Sequence, residues 1–446
     1  MIVNLRAVIS FLIATSTLVS GLSLTASKNQ RAISGRGFVE PSFLSSNHNA
    51  ASSGGISMFL GKGSKTAKKI SVQTDTTRIG KITVPSIGIG TISWSSDSLT
   101  SLESLELQSL VNTACQQNAA FFDTAERYGS KFKTALGLGW GETEMLLKSF
   151  IDKEKQPVQI ATKFTPSPWR KTPESVVEAC QQSCERLGVE KIDLYQLHMP
   201  DIVKPLRKFG FAQESLDEIY WEGLAQCYHQ GLVSNVGVSN YGPTLVTKCH
   251  EYLKKRGVPL ASNQIAYSLL GRGNGAQETV DKCNKLGVKV LAAFPFAMGL
   301  LTGKYNSQSS STLAEGTLTS LSKNQKTKLE ISDLNRYAKG DGKTIPKGGA
   351  APLLSVMESI AKKRNKTVAQ VALNYCICKG TIPIPGSRTA AQLSDNLGAM
   401  GWRLTLNEIR LLEKEADKLG FEFEGAGFKR TSEKFVGYGV EKWTLD

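Results

Sequence analysis

The feature that most constrains the fold is an alternation of short apolar runs with segments of helical spacing, which continues through most of the chain. The apolar runs are uninterrupted, as expected of parallel strands that are buried on both faces. Counted by strand, the pattern gives eight successive β/α units. An open doubly wound sheet and an eightfold barrel both suit such a repeat, and eight units of this size favour the barrel. We therefore predict an α/β fold, a (β/α)8 TIM barrel over residues 71–420.

Several segments flank or interrupt the predicted repeat. A polar, turn-rich stretch at Ile70–Ile82 predicts a short N-terminal hairpin, Tyr305–Ala350 is a long polar insertion, and residues 421–446 form an aromatic-rich C-terminal tail. Two glycine clusters, Gly137–Gly141 and Gly271–Gly275, lack the strand context of a dinucleotide fingerprint, so we interpret both as loops. The predicted strands are Pro85–Gly90, Ala120–Asp123, Val158–Phe164, Ile192–His198, Val233–Ser239, Ser262–Tyr267, Val288–Phe294 and Thr381–Ile384.

The N-terminal region has the composition of a targeting leader. Arg6 precedes an apolar run from Ala7 to Val19 that is followed by small residues, which is typical of a signal peptide over residues 1–26. Residues 27–70 are basic, rich in Ser and Gly, and almost free of acids, which predicts a disordered, transit-peptide-like segment. This order resembles the two-part leader of algae with secondary plastids. We predict a plastid location, with secretion or retention in the ER as the alternative.

Charge and cysteine content exclude several classes of function. A large share of the net charge of +15 at pH 7 lies in the leader, where Glu40 is the sole acid. The remaining body has no long run of like charges, so nucleic-acid binding has little support. We expect no stable membrane span after the leader is removed, and the sequence leaves the oligomeric state open. Eight Cys without a CxxC pair predict small buried hydrophobes in a reducing compartment and no metal site.

Titratable side chains stand at the C-terminal tips of three consecutive predicted strands. Asp123 ends the second strand, and Tyr128 follows in the next loop. Lys163 ends the third strand, and His198 ends the fourth. Taken singly, each has a structural explanation, as a helix cap, a loop filler, a salt-bridge partner or a hydrogen-bonded histidine. Because catalytic groups of barrels gather at the C-terminal strand ends, the four together predict one proton-transfer site.

Longer motifs extend this pattern over nearly all of the body. They are Gly88-Ile89-Gly90-Thr91, Asp123–Tyr128, Ala161-Thr162-Lys163, Gln196-Leu197-His198, Val236-Gly237-Val238-Ser239-Asn240, Gly299-Leu300-Leu301-Thr302-Gly303-Lys304 and Ile384-Pro385-Gly386-Ser387-Arg388. From Thr77 to Thr405 the sequence resembles the aldo-keto reductase superfamily, in particular its plastid-type plant and algal members. The resemblance implies an NADPH-dependent reductase that transfers hydride to the carbonyl of an aldehyde or ketone. An NADP(H)-binding regulatory subunit of a membrane channel is the alternative, since such relatives keep the same residues.

The resemblance assigns a role to each residue of the proposed proton-transfer site. Tyr128 would be the general acid that protonates the carbonyl oxygen, although a phenol with a pKa near 10 is a weak acid at neutral pH. Lys163 would stabilise the phenolate and lower that pKa, and Asp123 would hold Lys163 in place. His198 would bond and orient the substrate oxygen. Glu126 and Arg127, within the same stretch, have no predicted role.

Cofactor contacts are also implied by the matching motifs. Ser239, Asn240 and Gln264 would bond the nicotinamide carboxamide, and Phe294 would stack on the ring. Glycines in the Gly299–Lys304 segment would let its backbone amides approach the pyrophosphate. The full set implied for the cofactor is Gly90, Thr91, Ser239, Asn240, Gln264, Phe294, Gly299, Leu301, Gly303, Lys304, Ser387, Arg388, Gln392, Asp395 and Asn396.

The adenosine end and the substrate rim complete the predicted site. Ser387 and Arg388 match positions that hold the 2′-phosphate, and an Arg there favours NADPH through charge-assisted bonds. Otherwise Arg388 is a solvated surface cation. Trp94, Trp169 and Met199 lie in loops after strands and are candidates for an apolar pocket rim, although each could simply pack between loops. Such a rim suits aldehydes, ketones or an aromatic carbonyl such as pyridoxal.

Overall fold

The computed structural model describes residues 75–94, 99–129, 140–153, 157–167, 169–201, 215–273, 275–304, 337, 339–340, 342 and 346–419. The predicted leader, most of the predicted polar insertion and the predicted C-terminal tail lie outside these ranges. Within them, no helix is both long and apolar enough to cross a membrane.

Strands and helices alternate along the described chain, as the repeat predicts. The strands are β1 (Thr76–Ile79), β2 (Ile82–Pro85), β3 (Ile89–Gly90), β4 (Phe121–Asp123), β5 (Gln159–Phe164), β6 (Leu194–Leu197), β7 (Val236–Ser239), β8 (Leu260–Ala266), β9 (Lys289–Ala293) and β10 (Ile382–Ile384). The α-helices are α1 (Ser101–Gln116), α2 (Glu142–Ile151), α3 (Pro173–Leu187), α4 (Asp217–His229), α5 (Pro243–Lys254), α6 (Ala276–Leu286), α7 (Ala351–Arg364), α8 (Val368–Cys378), α9 (Ala390–Leu397) and α10 (Leu406–Lys418). A 3₁₀ helix follows β9 at Ala297–Thr302.

Strands β3 to β10 form one parallel eight-stranded sheet in chain order. The first and last strands meet through the backbone. The Gly88 amide donates to the carbonyl of Pro383 at 3.0 Å, and the Gly90 amide donates to that of Pro385 at 3.0 Å. A parallel bridge between Gly90 and Gly386 continues this contact. These bonds close the sheet on itself, and the predicted (β/α)8 barrel is confirmed.

An antiparallel hairpin of β1 and β2 covers the N-terminal end of the barrel. Its side chains Ile79 and Val84 are fully buried and share a cluster with inward-facing strand residues such as Phe121 and Leu291. The hairpin lies further along the chain than the predicted Ile70–Ile82, because the turn falls at Gly80, whose φ of 54° suits glycine. The first barrel strand is correspondingly shorter than predicted.

Local capping signals explain where several helices begin and end. The Thr172 side chain accepts from the Ser175 amide, Pro173 occupies the first turn, and Gly188 ends α3 with a φ of 68°. The helical spacing in the sequence predicts helices at Pro173–Leu187, Ala276–Leu286 and Val368–Cys378, and α3, α6 and α8 have these bounds. Helix α10 was not predicted, although Thr405 and Glu408 form a capping box at its start.

Alternating side chains along the strands separate the barrel interior from the helix layer. Phe121 points into the interior cluster, whereas Phe122 packs in the main core with the helices. A polar layer lies in the middle of the barrel, where Ser262 Oγ donates to Gln196 Oε1 at 3.1 Å. Gly237 lies beside this pair, because an added Cβ there would be 2.1 Å from Ser262 Oγ. The eight cysteines all lie in the described ranges and form no disulfide; seven are buried and Cys378 is partly exposed.

Candidate active site

A buried ion pair forms the centre of the site, at the C-terminal end of two adjacent strands. Lys163 Nζ on β5 lies 2.7 Å from Asp123 Oδ2 on β4, and both side chains are almost fully buried. The same ammonium donates to the carbonyl of Thr124 at 2.8 Å and lies 3.5 Å from the Tyr128 hydroxyl. Three acceptors thus surround the three donors of one ammonium group. The phenol is held more loosely than the carboxylate.

His198 completes the cluster from the next strand. It directly follows β6, and its backbone amide donates to the carbonyl of Phe164 at 2.8 Å. Its ring packs edge-on against Tyr128, with centroids 5.5 Å apart. The Nδ1 atom of His198 is buried and has no hydrogen-bond partner among the described residues. The four titratable residues predicted from separate strand tips are therefore brought together at one edge of the barrel.

Burial dominates the electrostatics of this cluster. It raises the pKa of Tyr128 above 10.0, while the charge of Lys163 acts in the opposite direction and that of Asp123 reinforces the rise. Lys163 thus acts on this pKa in the predicted direction, but burial outweighs it and the net shift is upward. Burial also acts to lower the pKa of Lys163, but the charges of Asp123 and Tyr128 outweigh it and raise that pKa. Lys163 is accordingly charged and Tyr128 neutral at physiological pH.

His198 is neutral for a related reason. Burial holds its pKa well below 6.5, and the charges of Lys163 and Arg127 lower it further. A neutral imidazole carries one N–H donor and one acceptor nitrogen, so it can bond a carbonyl oxygen without adding charge. Arg127, for which the sequence predicted no role, thus contributes to the state of this ring.

The three residues predicted to bind a carboxamide lie next to the cluster. Gln264 Nε2 donates to Asp123 Oδ1 at 2.8 Å, so the carboxylate of Asp123 is bonded on both oxygens. Ser239 Oγ donates to the carbonyl of Gln264 at 2.9 Å. Asn240 Nδ2 donates to the carbonyl of His198 at 2.9 Å and to Ser239 Oγ at 3.2 Å. Hydroxyl and amide groups of two strand ends are therefore held beside the titratable residues.

The segment after β9 has an unusual backbone. Phe294, Ala297 and Met298 have φ values of 53°, 47° and 56°, a left-handed region that residues with a Cβ rarely adopt. The amides of Gly299 and Leu301 both donate to the carbonyl of Phe296. Because these two amides already form hydrogen bonds within the turn, they are not available for the pyrophosphate contacts predicted for this segment. Gly303 ends the 3₁₀ helix with a φ of 80°, and Lys304 beyond it is exposed.

Most residues predicted for the adenosine end form one connected group after β10. Asn396 Nδ2 donates to Ser387 Oγ at 3.0 Å, and the Arg388 amide donates to Gln392 Oε1 at 2.9 Å. The Arg388 guanidinium lies 2.7 Å from the carboxylate of Glu103 on α1. The Asp395 carboxylate instead accepts from the side chains of Gln370 at 3.0 Å and Thr367 at 3.2 Å.

The three residues predicted to form the pocket rim differ in their exposure to solvent. Trp94 is 1% exposed, and its indole donates to the carbonyl of Ser387 at 2.8 Å. Its ring packs edge-on against Phe122, so Trp94 belongs to the core and the prediction that it lines the pocket rim is wrong. Trp169 is 72% exposed, and Met199 is half-buried next to His198.

The strand β3 end also contributes to the site. Thr91 is fully buried, and its hydroxyl donates to the Asp123 carbonyl at 3.0 Å. Gly90 pairs with Asp123 in register, while its amide closes the barrel. Among the described residues, no group of three or more His, Cys, Asp or Glu is placed to hold a metal ion.

Sequence reasoning missed one further ion pair beside the cluster. Glu126 is 1% exposed and forms two bonds with Arg170, which lies in the loop between β5 and α3. An acid between Asp123 and Tyr128 and a basic residue after the third strand were visible in the sequence. Their pairing depends on how close two loops come, which spacing alone does not give.

A closed parallel barrel with a phenol beside a buried lysine–aspartate pair at its C-terminal edge defines a barrel oxidoreductase. The family model described as "Aldo/keto reductase family" matches residues 86–417, and the chain belongs to this family. It is accordingly an NADP-dependent oxidoreductase that acts on carbonyl groups.

Two named relatives and one solved structure show the extent of the similarity. The chain is 39% identical over 351 residues to "Pyridoxal reductase, chloroplastic" of Arabidopsis thaliana, covering 76% of this chain and 85% of the relative. It is 27% identical over 321 residues to "Probable pyridoxal reductase 2" of Schizosaccharomyces pombe, covering 69% and 85%. The glycerol dehydrogenase AKR11B4 from Gluconobacter oxydans has the same fold, with a TM-score of 0.60 at 22% identity, covering 78% of this chain and 96% of that one.

Proposed function

We propose that the chain is an NADPH-dependent reductase of aldehydes or ketones, with pyridoxal as the preferred candidate substrate and Tyr128 as the proton donor. The observation that carries the proposal is the position of Lys163 Nζ, 2.7 Å from Asp123 Oδ2 and 3.5 Å from the Tyr128 hydroxyl. A buried cation in contact with a phenol supports proton donation, because it stabilises the phenolate left behind.

The residues of this chain divide the work of reduction. NADPH, when bound, supplies the hydride that reaches the carbonyl carbon. Tyr128 gives its phenolic proton to the carbonyl oxygen, so that the C=O group becomes a C–OH group. Lys163 remains charged next to the developing phenolate, and Asp123 fixes the ammonium. His198, whose low pKa keeps it neutral, would bond the substrate oxygen and orient it.

The residues present suit this cofactor at both ends. Ser239, Asn240 and Gln264 offer the hydroxyl and amide groups that a nicotinamide carboxamide requires, next to the proton donor. After β10, Ser387 and Arg388 would hold the 2′-phosphate. A guanidinium bonds a phosphate dianion through charge-assisted bonds, which favours NADPH over NADH.

Pyridoxal is favoured by the relatives and by the rim of the site. Two relatives are named pyridoxal reductases, one of them at 39% identity. Trp169 exposes most of its ring at the end of the barrel that carries the tetrad of Asp123, Tyr128, Lys163 and His198, and Met199 follows His198 directly. An exposed indole offers a flat surface for stacking an aromatic aldehyde. Because both of these relatives carry the name of a reductase, we do not adopt the channel-subunit alternative.

We propose a plastid location, which the leader pattern and the name of the Arabidopsis relative, which includes "chloroplastic", support. We propose a signal peptide over residues 1–26 and a transit-like segment over residues 27–70. A fluorescent fusion of residues 1–75 is expected to label plastids, and accumulation in the ER or the medium would refute this location.

The decisive test of activity is consumption of NADPH by the purified mature protein with pyridoxal, short aldehydes and ketones. Tyr128→Phe should retain NADPH binding and lose about 10²- to 10⁴-fold in turnover, the range for loss of a general acid. Tyr228→Phe, a matched loss of a phenol on helix α4, should leave turnover unchanged. Turnover of the Tyr128 variant within a few-fold of the parent would overturn the assignment of the acid.

The cofactor assignment has a separate test. Arg388→Ala should weaken binding of NADPH and leave binding of NADH nearly unchanged, measured by titration of the bound cofactor's fluorescence. An unchanged preference for NADPH would show that Arg388 is only a solvated cation.

A further inference from the structure

The ion pair of Glu126 and Arg170 lies outside the tetrad but next to it. Arg170 Nη1 is 2.5 Å from Glu126 Oε1, and Nη2 is 3.2 Å from Glu126 Oε2. The two parallel bonds form the fork-to-fork geometry that gives an arginine–carboxylate pair a fixed orientation. The Glu126 side chain is 1% exposed and that of Arg170 15% exposed. Such a pair has a defined geometry and little screening by solvent.

Two aromatic rings hold the guanidinium from the sides. The Cζ atom of Arg170 lies 4.5 Å from the ring centroid of Trp140 and 4.7 Å from that of Phe164. Phe164 is the last residue of β5 and follows Lys163 directly. The arginine is therefore fixed by two bonds to a carboxylate and by stacking on the strand that carries the catalytic lysine.

The same pair joins the two segments that carry the proton donor and its cation. Glu126 lies two residues before Tyr128, and its amide donates to the carbonyl of Lys163 at 3.3 Å. Its Oε1 atom also accepts from the Thr165 amide at 2.6 Å, two residues after Lys163. Arg170 donates back to the Thr165 carbonyl at 3.3 Å. Four residues thus form one closed network that spans the loops after β4 and β5.

This network is important because it connects the segments of Tyr128 and Lys163, whose side-chain contact is longer than the other bonds of the Lys163 ammonium. Tyr128 Oη and Lys163 Nζ are 3.5 Å apart, at the outer limit of a hydrogen bond. Among the described residues, the Tyr128 amide donates to the Ala125 carbonyl and the Tyr128 carbonyl accepts from the amide of Thr143, on α2, at 3.3 Å. The segment of Tyr128 is thus fixed at two places, by the bond to α2 and by the Glu126 network, and of the two only the Glu126 network connects it directly to the strand of Lys163.

We propose that Arg170 is a positioning residue, which acts through Glu126 to hold Tyr128 at the distance from Lys163 that proton donation needs. The proposal rests on the proposed function, because it gives Arg170 a purpose only if Tyr128 is the acid. Loss of the network would slow proton transfer while leaving the cofactor contacts on β7, β8 and β10 in place. Turnover would then fall without a matching change in affinity for NADPH.

The chain contains a matched control for this test. Arg186 on α3 lies 2.7 Å from Glu144 on α2, and the exposed fractions of these side chains, 18% and 0%, are close to those of the first pair. Arg186 also donates to Ser183, on its own helix, and does not join the two loops. Arg170→Ala and Arg186→Ala each leave one buried glutamate without its arginine but with one other bond, from the Thr165 amide or the Thr162 hydroxyl, so both should lower the Tm by similar amounts.

The experiment compares these variants with Arg170→Lys, measuring kcat, the Kd for NADPH and the effect of D2O on kcat. Lysine keeps the charge beside Glu126, so this variant is expected to fold, but it loses the fork and the ring stacking. We expect kcat to fall at least tenfold in Arg170→Ala and by less in Arg170→Lys, with an unchanged Kd for NADPH. The solvent isotope effect on kcat should rise in both, because proton transfer becomes slower.

Arg186→Ala should keep the parent's kcat and isotope effect. Equal losses of kcat in the Arg170 and Arg186 variants, or a parental kcat and isotope effect in Arg170→Lys, would overturn the positioning role. Tyr128→Phe separates this outcome from a failure of the proposed function. A fully active Tyr128→Phe would refute the function itself, whereas an inactive Tyr128→Phe beside a parental Arg170→Lys would refute only the role of Arg170.

Discussion

The ion pair between Glu103 and Arg388 leads to a prediction about cofactor choice. Arg388, the residue proposed to bind the 2′-phosphate, is held 2.7 Å from the carboxylate of Glu103, which is at the N-terminus of α1. A bound phosphate dianion would share Arg388 with that carboxylate and would be repelled by it. Glu103→Gln removes the competing charge, so binding of NADPH should become tighter. NADH lacks the phosphate, so its binding should stay the same.

Glu103→Gln should change the charge without disturbing the helix, because glutamine can replace glutamate in the second role of Glu103, which is to cap α1. Its Oε2 atom accepts from the amide of Thr100, whose side chain accepts in turn from the Glu103 amide, and this capping box begins the helix. Glutamine serves at this position of a capping box as glutamate does. The variant should therefore retain helix α1 and lose only the charge.

The size of the effect follows from exposure. The side chains of Arg388 and Glu103 are 42% and 40% exposed, and an ion pair in solvent contributes about 0.2–1 kcal/mol. Converted to affinity, this range corresponds to about a 1.5- to 5-fold tighter Kd for NADPH. Bonds from the Thr100 amide, and the charge of Arg388, hold the pKa of Glu103 below 4.5, so the charge is present at neutral pH. Added salt should shrink the difference between the variant and the parent.

The assay is a fluorescence titration of NADPH and of NADH against the parent, Glu103→Gln and Glu106→Gln. Glu106 is an exposed acid on the same helix, so it controls for a general change in charge. The reasoning would be refuted if both cofactors shifted equally, if Glu106→Gln had the same effect, or if NADPH bound more weakly.

Three further predictions concern pH, packing and the pocket rim. Reduction requires a neutral phenol at Tyr128, whose pKa lies above 10.0, and a neutral His198, whose pKa lies well below 6.5. The rate kcat should therefore not change with pH between 6.5 and 10.0, and a rise or fall of kcat within that range would contradict the assignment. Gly237→Ala places a Cβ 2.1 Å from Ser262 Oγ and should cost about 1–3 kcal/mol of the free energy of unfolding, measured by urea denaturation, whereas an unchanged midpoint would show that the layer can relax. Trp169→Ala should leave the Tm unchanged because the ring is 72% exposed. It should raise KM for pyridoxal more than for a short aldehyde, and equal changes of KM would show that Trp169 does not line the pocket.

The sequence allowed the barrel and the assembly of its site to be predicted because both depend on local signals. Uninterrupted apolar runs give buried parallel strands, and Thr172, Pro173 and Gly188 specify the bounds of α3. Once the strands are parallel neighbours, their tips must meet at one edge. Asp123 and Lys163 were for this reason predictable as partners from two separate motifs.

Other features depend on distances that no local pattern contains. The pKa of Tyr128 reflects its burial, which outweighs the nearby charge, and burial is known only when the loops are placed. Trp94 looks like a loop residue in sequence, yet its loop turns inward and its indole bonds the carbonyl of Ser387. The partnership of Glu126 and Arg170 likewise needed the two loops to be brought into contact.

Closure of the barrel has a consequence for how the chain folds and for its stability. The amides of Gly88 and Gly90 bond carbonyls near the end of the barrel sequence, so the first strand cannot pair with the last until almost the whole barrel has been synthesised. Until then, one edge of the sheet is unpaired and open to wrong partners. Ser387 and Arg388 follow the closing segment directly. If NADPH binds there as proposed, it would also stabilise the contact between the first and last strands, so the Tm should rise with NADPH concentration.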